Sequence, residues 1–265
     1  MLKCENITKT FDKGTATEKE VLCDINLSLD ESDFITVIGG NGAGKSTLLN
    51  VIAGVYSPEN GGVVNIDGRD VTRLAEHSRA RFIGRVFQDP RMGTAPGMTI
   101  EENLAISYRR CKARTLRWYS NRKEREIYRG ALSTLGLGLE DRLFAKVGTL
   151  SGGQRQALTL LMATLQKPRL LLLDEHTAAL DPKTAKIVLE LTNKLVSENR
   201  LTTLMVTHNM RDAIASGNRI IMMHGGRIIL DAKNEEKAGL TVPDLLKMFE
   251  KASGEEIAND RMLLA

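Results

Sequence analysis

The sequence predicts an α/β fold, a mainly parallel core sheet with helices around it. Three observations carry this prediction. The runs "RLLLLD" (169–174), "LTTLMVT" (201–207) and "RIIMMH" (219–224) have the length and apolarity of buried strands, helical segments separate them, and a glycine-rich loop stands between a strand and a helix near the start of the chain.

The elements follow in order. Val21, Cys23, Ile25, Leu27 and Leu29 alternate with mostly polar residues, and "FITVI" (34–38) is a short apolar run, so the N-terminal region reads as strands of a β subdomain. "KSTLLNVIA" (45–53) is helical and stops at Gly54; "VVNI" and "FIGRVF" are further strands after turns containing Gly61, Gly62 and Gly68. From about 90 to 165 an α-helical subdomain is inserted. Its "TIEE" stretch makes a Thr-x-x-Glu capping box at Thr99 and Glu102. Gly225 and Gly226 turn the chain into "RIIL", a hairpin, and 233–265 forms a short helical tail.

At 265 residues the chain makes one large domain or two small ones. Cys4, Cys23 and Cys111 are scattered, odd in number and lack metal-ligand spacing, which fits a reduced compartment. No apolar run approaches the roughly 20 residues that span a bilayer, and "MLKCENITKTF" lacks the apolar core of a signal peptide. A membrane role therefore falls to a partner chain. The net charge of +4 is unevenly spread: residues 109–129 hold nine Lys or Arg against Glu124 and Glu126, a local +7 that leaves −3 for the rest. A solvated helical face is the default reading of that segment. The alternative is a docking or membrane-proximal surface using Leu116, Trp118 and Tyr119, and nucleic acid ranks third.

Three motifs carry chemistry. "GGNGAGKST" (39–47) fits G-x-x-x-x-G-K-S/T between a strand and a helix: Gly39, Gly40, Asn41, Gly42, Ala43 and Gly44 curl N–H groups around phosphate oxygens. Lys45 adds charge toward the β and γ phosphates, Ser46 can ligate Mg²⁺, and Thr47 completes the nucleotide-binding loop. "LLLLDE" (170–175) ends a strand in Asp174, placed to hold the Mg²⁺ shell, and Glu175, placed to deprotonate an attacking water. In "LSGGQRQ" (150–156), Ser151 and Gln154 make an S-x-x-Q capping box that needs no ligand, but a cap does not explain Gly152 and Gly153. Two glycines after a cap expose helix N-terminal N–H groups to an anion.

This set resembles the ATP-binding cassette of ABC transporters, over roughly residues 1–232, with "LSGGQ" its most specific element. The resemblance implies a P-loop NTPase fold with an N-terminal antiparallel β subdomain. It implies an ATPase that takes ATP and Mg²⁺ and pairs with a second copy of itself head to tail, so that Ser151 and Gly153 of one copy hold the γ-phosphate bound by the other. It further implies that Gln88 of "VFQDP" touches Mg²⁺ and the attacking water and communicates with an integral membrane permease. His208 of "VTHNM" corresponds to the switch histidine at the γ-phosphate, Asp181 of "AALDP" to the loop coupling the two sites, and Phe11 to the aromatic ring stacked on adenine, core packing being the rival role for Phe11. The protein would lie peripherally on the cytoplasmic face of the membrane.

Three positions depart from the family pattern. Gly40 replaces a frequent Pro, Ala178 replaces a usual Ser, and His176 replaces the usual Pro after Glu175, putting a titratable ring beside the base. A soluble cassette acting on ribosomes or DNA is the first rival, but the interval from Ser46 to Asp174 has no room for a long coiled coil and the chain carries one cassette, not two. A phosphate-loop kinase or GTPase leaves "LSGGQRQ" unexplained. An exporter ATPase is a further alternative. "DEHTAALDPKT" is similar to a subgroup found beside substrate-binding lipoproteins, some linked to aromatic amino acids, which points to import of a small solute such as an amino acid.

Overall fold

The computed structural model describes residues 1–59, 61–110 and 120–253. Two sheets share one core. The first is antiparallel, in the order β2-β1-β4-β5, from β1 (Leu2–Phe11), β2 (Lys19–Leu29), β4 (Val63–Ile66) and β5 (Arg69–Asp70). The second runs β10-β9-β3-β8-β7-β6, from β3 (Phe34–Gly39), β6 (Ile83–Val86), β7 (Leu170–Asp174), β8 (Thr202–Val206), β9 (Arg219–His224) and β10 (Arg227–Lys233). All its pairings are parallel except the β9–β10 hairpin.

All four Leu of β7 are buried, as are all five residues of β8. Continuous burial of this kind follows from covering a parallel sheet on both faces. On one face lies α1 (Lys45–Ala53), whose Leu48, Leu49 and Ile52 join the β1, β2 and β4 side chains in one core cluster. A second cluster, on the other face, joins Leu171, Leu173 and Met205 to the inserted helices α3 (Ile100–Tyr108), α4 (Arg122–Ser133) and α5 (Gly152–Thr164) and to α6 (Pro182–Asn199). Both capping boxes read from the sequence form, Thr99 with Glu102 and Ser151 with Gln154; a third, Asn121 with Glu124, opens α4.

Two buried arginines join the parts. Arg79, at the end of α2 (Glu76–Arg79), donates to the carbonyls of Val51 and Ile52 at 2.8 Å each, Leu74 at 2.9 Å and Thr72 at 2.8 Å. Two of those acceptors are terminal carbonyls of α1, where the helix dipole favours a cation. Arg219 reaches across sheets: it donates to Asp231 on β10 and, at 2.6 Å, to the Ser28 carbonyl on β2. After β10 the tail forms α8 (Asn234–Ala238) and α9 (Val242–Ser253), which cover Ile220 and Met222 beside α7 (Met210–Ala215) through Leu245 and Phe249.

The described part of the basic segment is substantially paired. Arg109 contacts Glu124 at 2.9 Å and Arg125 contacts buried Glu101 at 2.6 Å, while Arg122 faces Glu126 at 3.8 Å. Leu116, Trp118 and Tyr119 lie outside the described residues.

Candidate functional site

The phosphate loop joins β3 to α1, and its shape depends on Gly39. That residue has φ 152, and a Cβ there would stand 2.2 Å from the Met223 carbonyl of neighbouring β9, so the loop can leave the sheet this close only without a side chain. Gly44 is the N-cap of α1 and supplies no side-chain acceptor, which leaves the first N–H groups of the helix directed into the loop. The Lys45 ammonium donates to the Gly39 and Gly40 carbonyls at 2.7 and 3.0 Å. Burial pushes its pKa down, and Glu175 and Asp174 oppose that shift.

Asp174 and Glu175 end β7 beside this loop. Ser46 Oγ donates to Asp174 Oδ1 at 3.1 Å, fastening the first turn of α1 to the end of β7. Burial raises the Asp174 pKa; the Ser46 hydroxyl and the Arg85 guanidinium, 3.8 Å from Oδ2, pull it down. Glu175 has φ 44, a left-handed conformation that directs the chain away from the strand. His208 Nδ1 faces Glu175 Oε2 at 3.7 Å. That polar contact holds Glu175 below the usual carboxylate range and pushes His208 above its ordinary value. A cavity of about 180 Å³ is lined by residues 41–47, Val21 and Glu175.

Ser151, Gly152, Gly153 and Gln154 line none of that cavity. Gly152 and Gly153 instead face Leu180 and Thr184, which flank Asp181 in the chain; Asp181 caps α6 by accepting from Thr184 N at 3.1 Å. The structure gives Gly153 a reason that the sequence reading lacked: it is buried, and a Cβ there would lie 2.1 Å from Thr184 Cγ2. Gly153 therefore serves the close approach of α5 to α6 within the subunit. Gly152 and Ser151 are exposed. Gln88 is exposed too, in a cleft of about 610 Å³ that also presents Asp174, Gly152 and Arg155. Phe11 is half-buried with an edge-to-face contact to Tyr56 at 5.2 Å, at a strand end whose partner Lys19 approaches Gly42 of the loop.

His176 turns inward. It is 2 % exposed, its Nε2 is 2.9 Å from Thr192 Oγ1 on α6, and burial lowers its pKa to about 4. It is a neutral core ring at pH 7 and contributes nothing to the Glu175 shift. Two side chains escaped the sequence reading. Arg85 on β6 donates to Asn50 Oδ1 of α1 at 2.6 Å and stacks over Phe87 at 4.6 Å while facing Asp174. The available signal was a charge inside the apolar run "FIGRVF". Gln156, one turn into α5, is the other.

A phosphate cradle, a strand-end acid that can share a cation with the Ser46 hydroxyl, and an adjacent ionised carboxylate define a nucleotide-hydrolysing cassette. The ABC transporter family model matches residues 22–178. Over 252 residues the chain is 44% identical to a tyrosine transport ATP-binding protein of Clostridioides difficile, covering 95% of this chain and 100% of that protein. It is 31% identical to an energy-coupling factor transporter ATP-binding protein of Acetivibrio thermocellus, covering 94% and 89%. Among solved structures, a dimeric ATP-binding cassette in a post-hydrolysis state with ADP and Pi superposes with a TM-score of 0.74 at 31% identity, covering 88% of this chain and 98% of that one. An ABC transporter cassette in its ADP conformation gives 0.76 at 28% identity, covering 96% and 99%. The chain belongs to the ABC transporter family of ATPases.

Two outcomes follow from this geometry. Gly153→Ala is expected to cost about 1–3 kcal/mol in urea unfolding through overpacking, and Thr184→Ser, which deletes the clashing methyl, to recover most of it in the double variant. His176 has a folded pKa near 4 against 6.5 unfolded, so the unfolded chain takes up a proton that the folded one refuses. Stability from this group is full above pH 6.5 and falls by up to about 3 kcal/mol toward pH 4. Unfolding of His176→Gln at several pH values should show that part of the slope removed.

Proposed function

We propose that this chain is the ATP-hydrolysing subunit of an importer for a small solute such as an amino acid, acting as a head-to-tail pair on a separate membrane permease. The observation that carries the pairing is the split of the site. The phosphate loop and Glu175 line one cavity, with Ser46 bonded to Asp174 and His208 facing Glu175, whereas Ser151 and Gly152 present an exposed helix N-terminus outside that cavity, Gly152 on the adjoining cleft with Gln88 and Asp174. In this proposal that N-terminus is an anion site completed by a nucleotide held on a second copy. The relative solved as a dimer with ADP and Pi supports that arrangement, and the tyrosine transport relative supports the amino-acid cargo.

In this reading residues 39–47 hold the phosphates, Lys45 meets the β and γ oxygens, and Phe11 stacks on adenine beside Tyr56. Glu175, ionised at neutral pH, accepts the proton of the attacking water, and His208, biased toward its charged form, faces the γ-phosphate. The oxygen donors of Ser46, Asp174 and Gln88 suit Mg²⁺, which would neutralise developing phosphate charge. Asp181 relates the two sites. The ATPase domain covers about 1–232, with the helical insertion at 90–165 and a tail from 233.

No helix of the described residues is long and apolar enough to cross a membrane. The permease therefore supplies the spanning part in this proposal, and the chain lies peripherally on the cytoplasmic face.

Two measurements test the reading. Glu175→Gln is expected to keep ATP binding and ATP-driven pairing in size-exclusion chromatography while turnover falls at least 100-fold; near-normal hydrolysis would remove Glu175 as the base. Affinity purification of the tagged chain from gently solubilised membranes should recover a multi-span permease, with or without a substrate-binding lipoprotein. Recovery of ribosomes or nucleic acid with no membrane protein would overturn the transport assignment.

A further inference from the structure

Gln156 is completely buried, and its amide nitrogen donates twice: to the His176 carbonyl at 2.7 Å and to the Phe87 carbonyl at 3.2 Å. His176 directly follows Glu175, and Phe87 directly precedes Gln88. The parallel ladder between β6 and β7 ends with the pair Val86 and Leu173, so both acceptors lie beyond it. Gln156 holds the two chains at the point where strand pairing stops.

The same helix face meets the Gln88 loop again. Thr159, three residues on and therefore beside Gln156 on α5, fills the space a Cβ at Gly93 would need, at 2.4 Å. The loop is also tied to the segment leading into α5, through Gly148 N to Pro96 O and Val147 N to Met98 O, both 2.9 Å. One helix thus presents Ser151 and Gly152 at its exposed end and, a turn further in, holds the carbonyl just before Gln88 and the carbonyl just after Glu175.

We propose that Gln156 is a positioning residue for hydrolysis: it fixes the separation of Gln88 and Glu175 and links both to the Ser151 end of α5. A displacement at that end then reaches the base of the same subunit through one amide rather than through the nucleotide. The amide type is required by the chemistry. Two carbonyls need two N–H donors from one atom, which Met, Leu or Glu of similar size does not provide. Gln156 Oε1 is itself buried without a hydrogen-bond partner among the described residues, a desolvation cost that an apolar side chain of similar size would avoid. The inference rests on the roles assigned above to Glu175 and Gln88.

The test combines amide hydrogen exchange with kinetics on the full chain carrying Gln156→Met, and Gln156→Asn, one methylene too short to reach both carbonyls. In either variant, segments 87–89 and 175–178 are expected to exchange at least tenfold faster together, with β3 and β8 protection unchanged. The expected kcat falls about tenfold while the ATP Kd at the phosphate loop stays within twofold. Unchanged exchange, loosening of one segment alone, retained kcat with both loosened, or uniform loss of protection would overturn the proposal. If Gln156→Met does not fold, Gln156→Asn decides by the same criteria. Failure of the underlying roles is distinguishable, since it would appear as normal turnover in Glu175→Gln or Gln88→Ala whatever the exchange shows.

Discussion

The hydrogen bond from Ser46 to Asp174 is the constraint on which the rest of the site depends. It joins the first turn of α1 to the end of β7, two elements separated by 128 positions. Everything nearby serves to make that meeting possible: Gly39 lets the loop pass against β9, Arg79 closes the far end of α1, and Arg85 ties Asn50 of the same helix to the acid it faces. A carboxylate at a buried strand end is expensive to ionise. Here the hydroxyl and the guanidinium offset that cost from opposite sides.

The adjacent carboxylates are driven in opposite directions by neighbours of different kinds. Burial dominates at Asp174 and lifts it; the His208 contact dominates at Glu175 and lowers it. Neighbouring acids separated in this way can take different tasks, one suited to sharing a cation and the other to receiving a proton. The left-handed turn at Glu175 lets both acids serve one site, because successive side chains in a continued strand would have faced opposite sides of the sheet.

Much of this was legible in the sequence, for physical reasons. Apolar runs such as "LLLL" mark strands covered on both faces, and "GGNGAGKST" carries its own conformational requirement, so the core sheet, α1 and its stop at Gly54 all lie where the residues put them. The capping boxes were equally visible because both partners sit within four positions. Relations across long separations were not. Nothing in "DEHT" says that the ring of His176 turns inward to Thr192, and nothing in "LSGG" announces the methyl of Thr184. Gln156 reads as one polar residue among several in a helix until the carbonyls of Phe87 and His176 are seen to converge on it.

The burial of Gly153 against Thr184 changes how sequence variation around it should be interpreted. A position whose side chain is excluded by one neighbouring methyl cannot change alone, because any Cβ placed there meets that methyl first. Tolerance there depends on position 184, 31 residues away. Lineages of such proteins would therefore be expected to change the pair jointly or not at all, so that a substitution neutral in one genetic background is disabling in another.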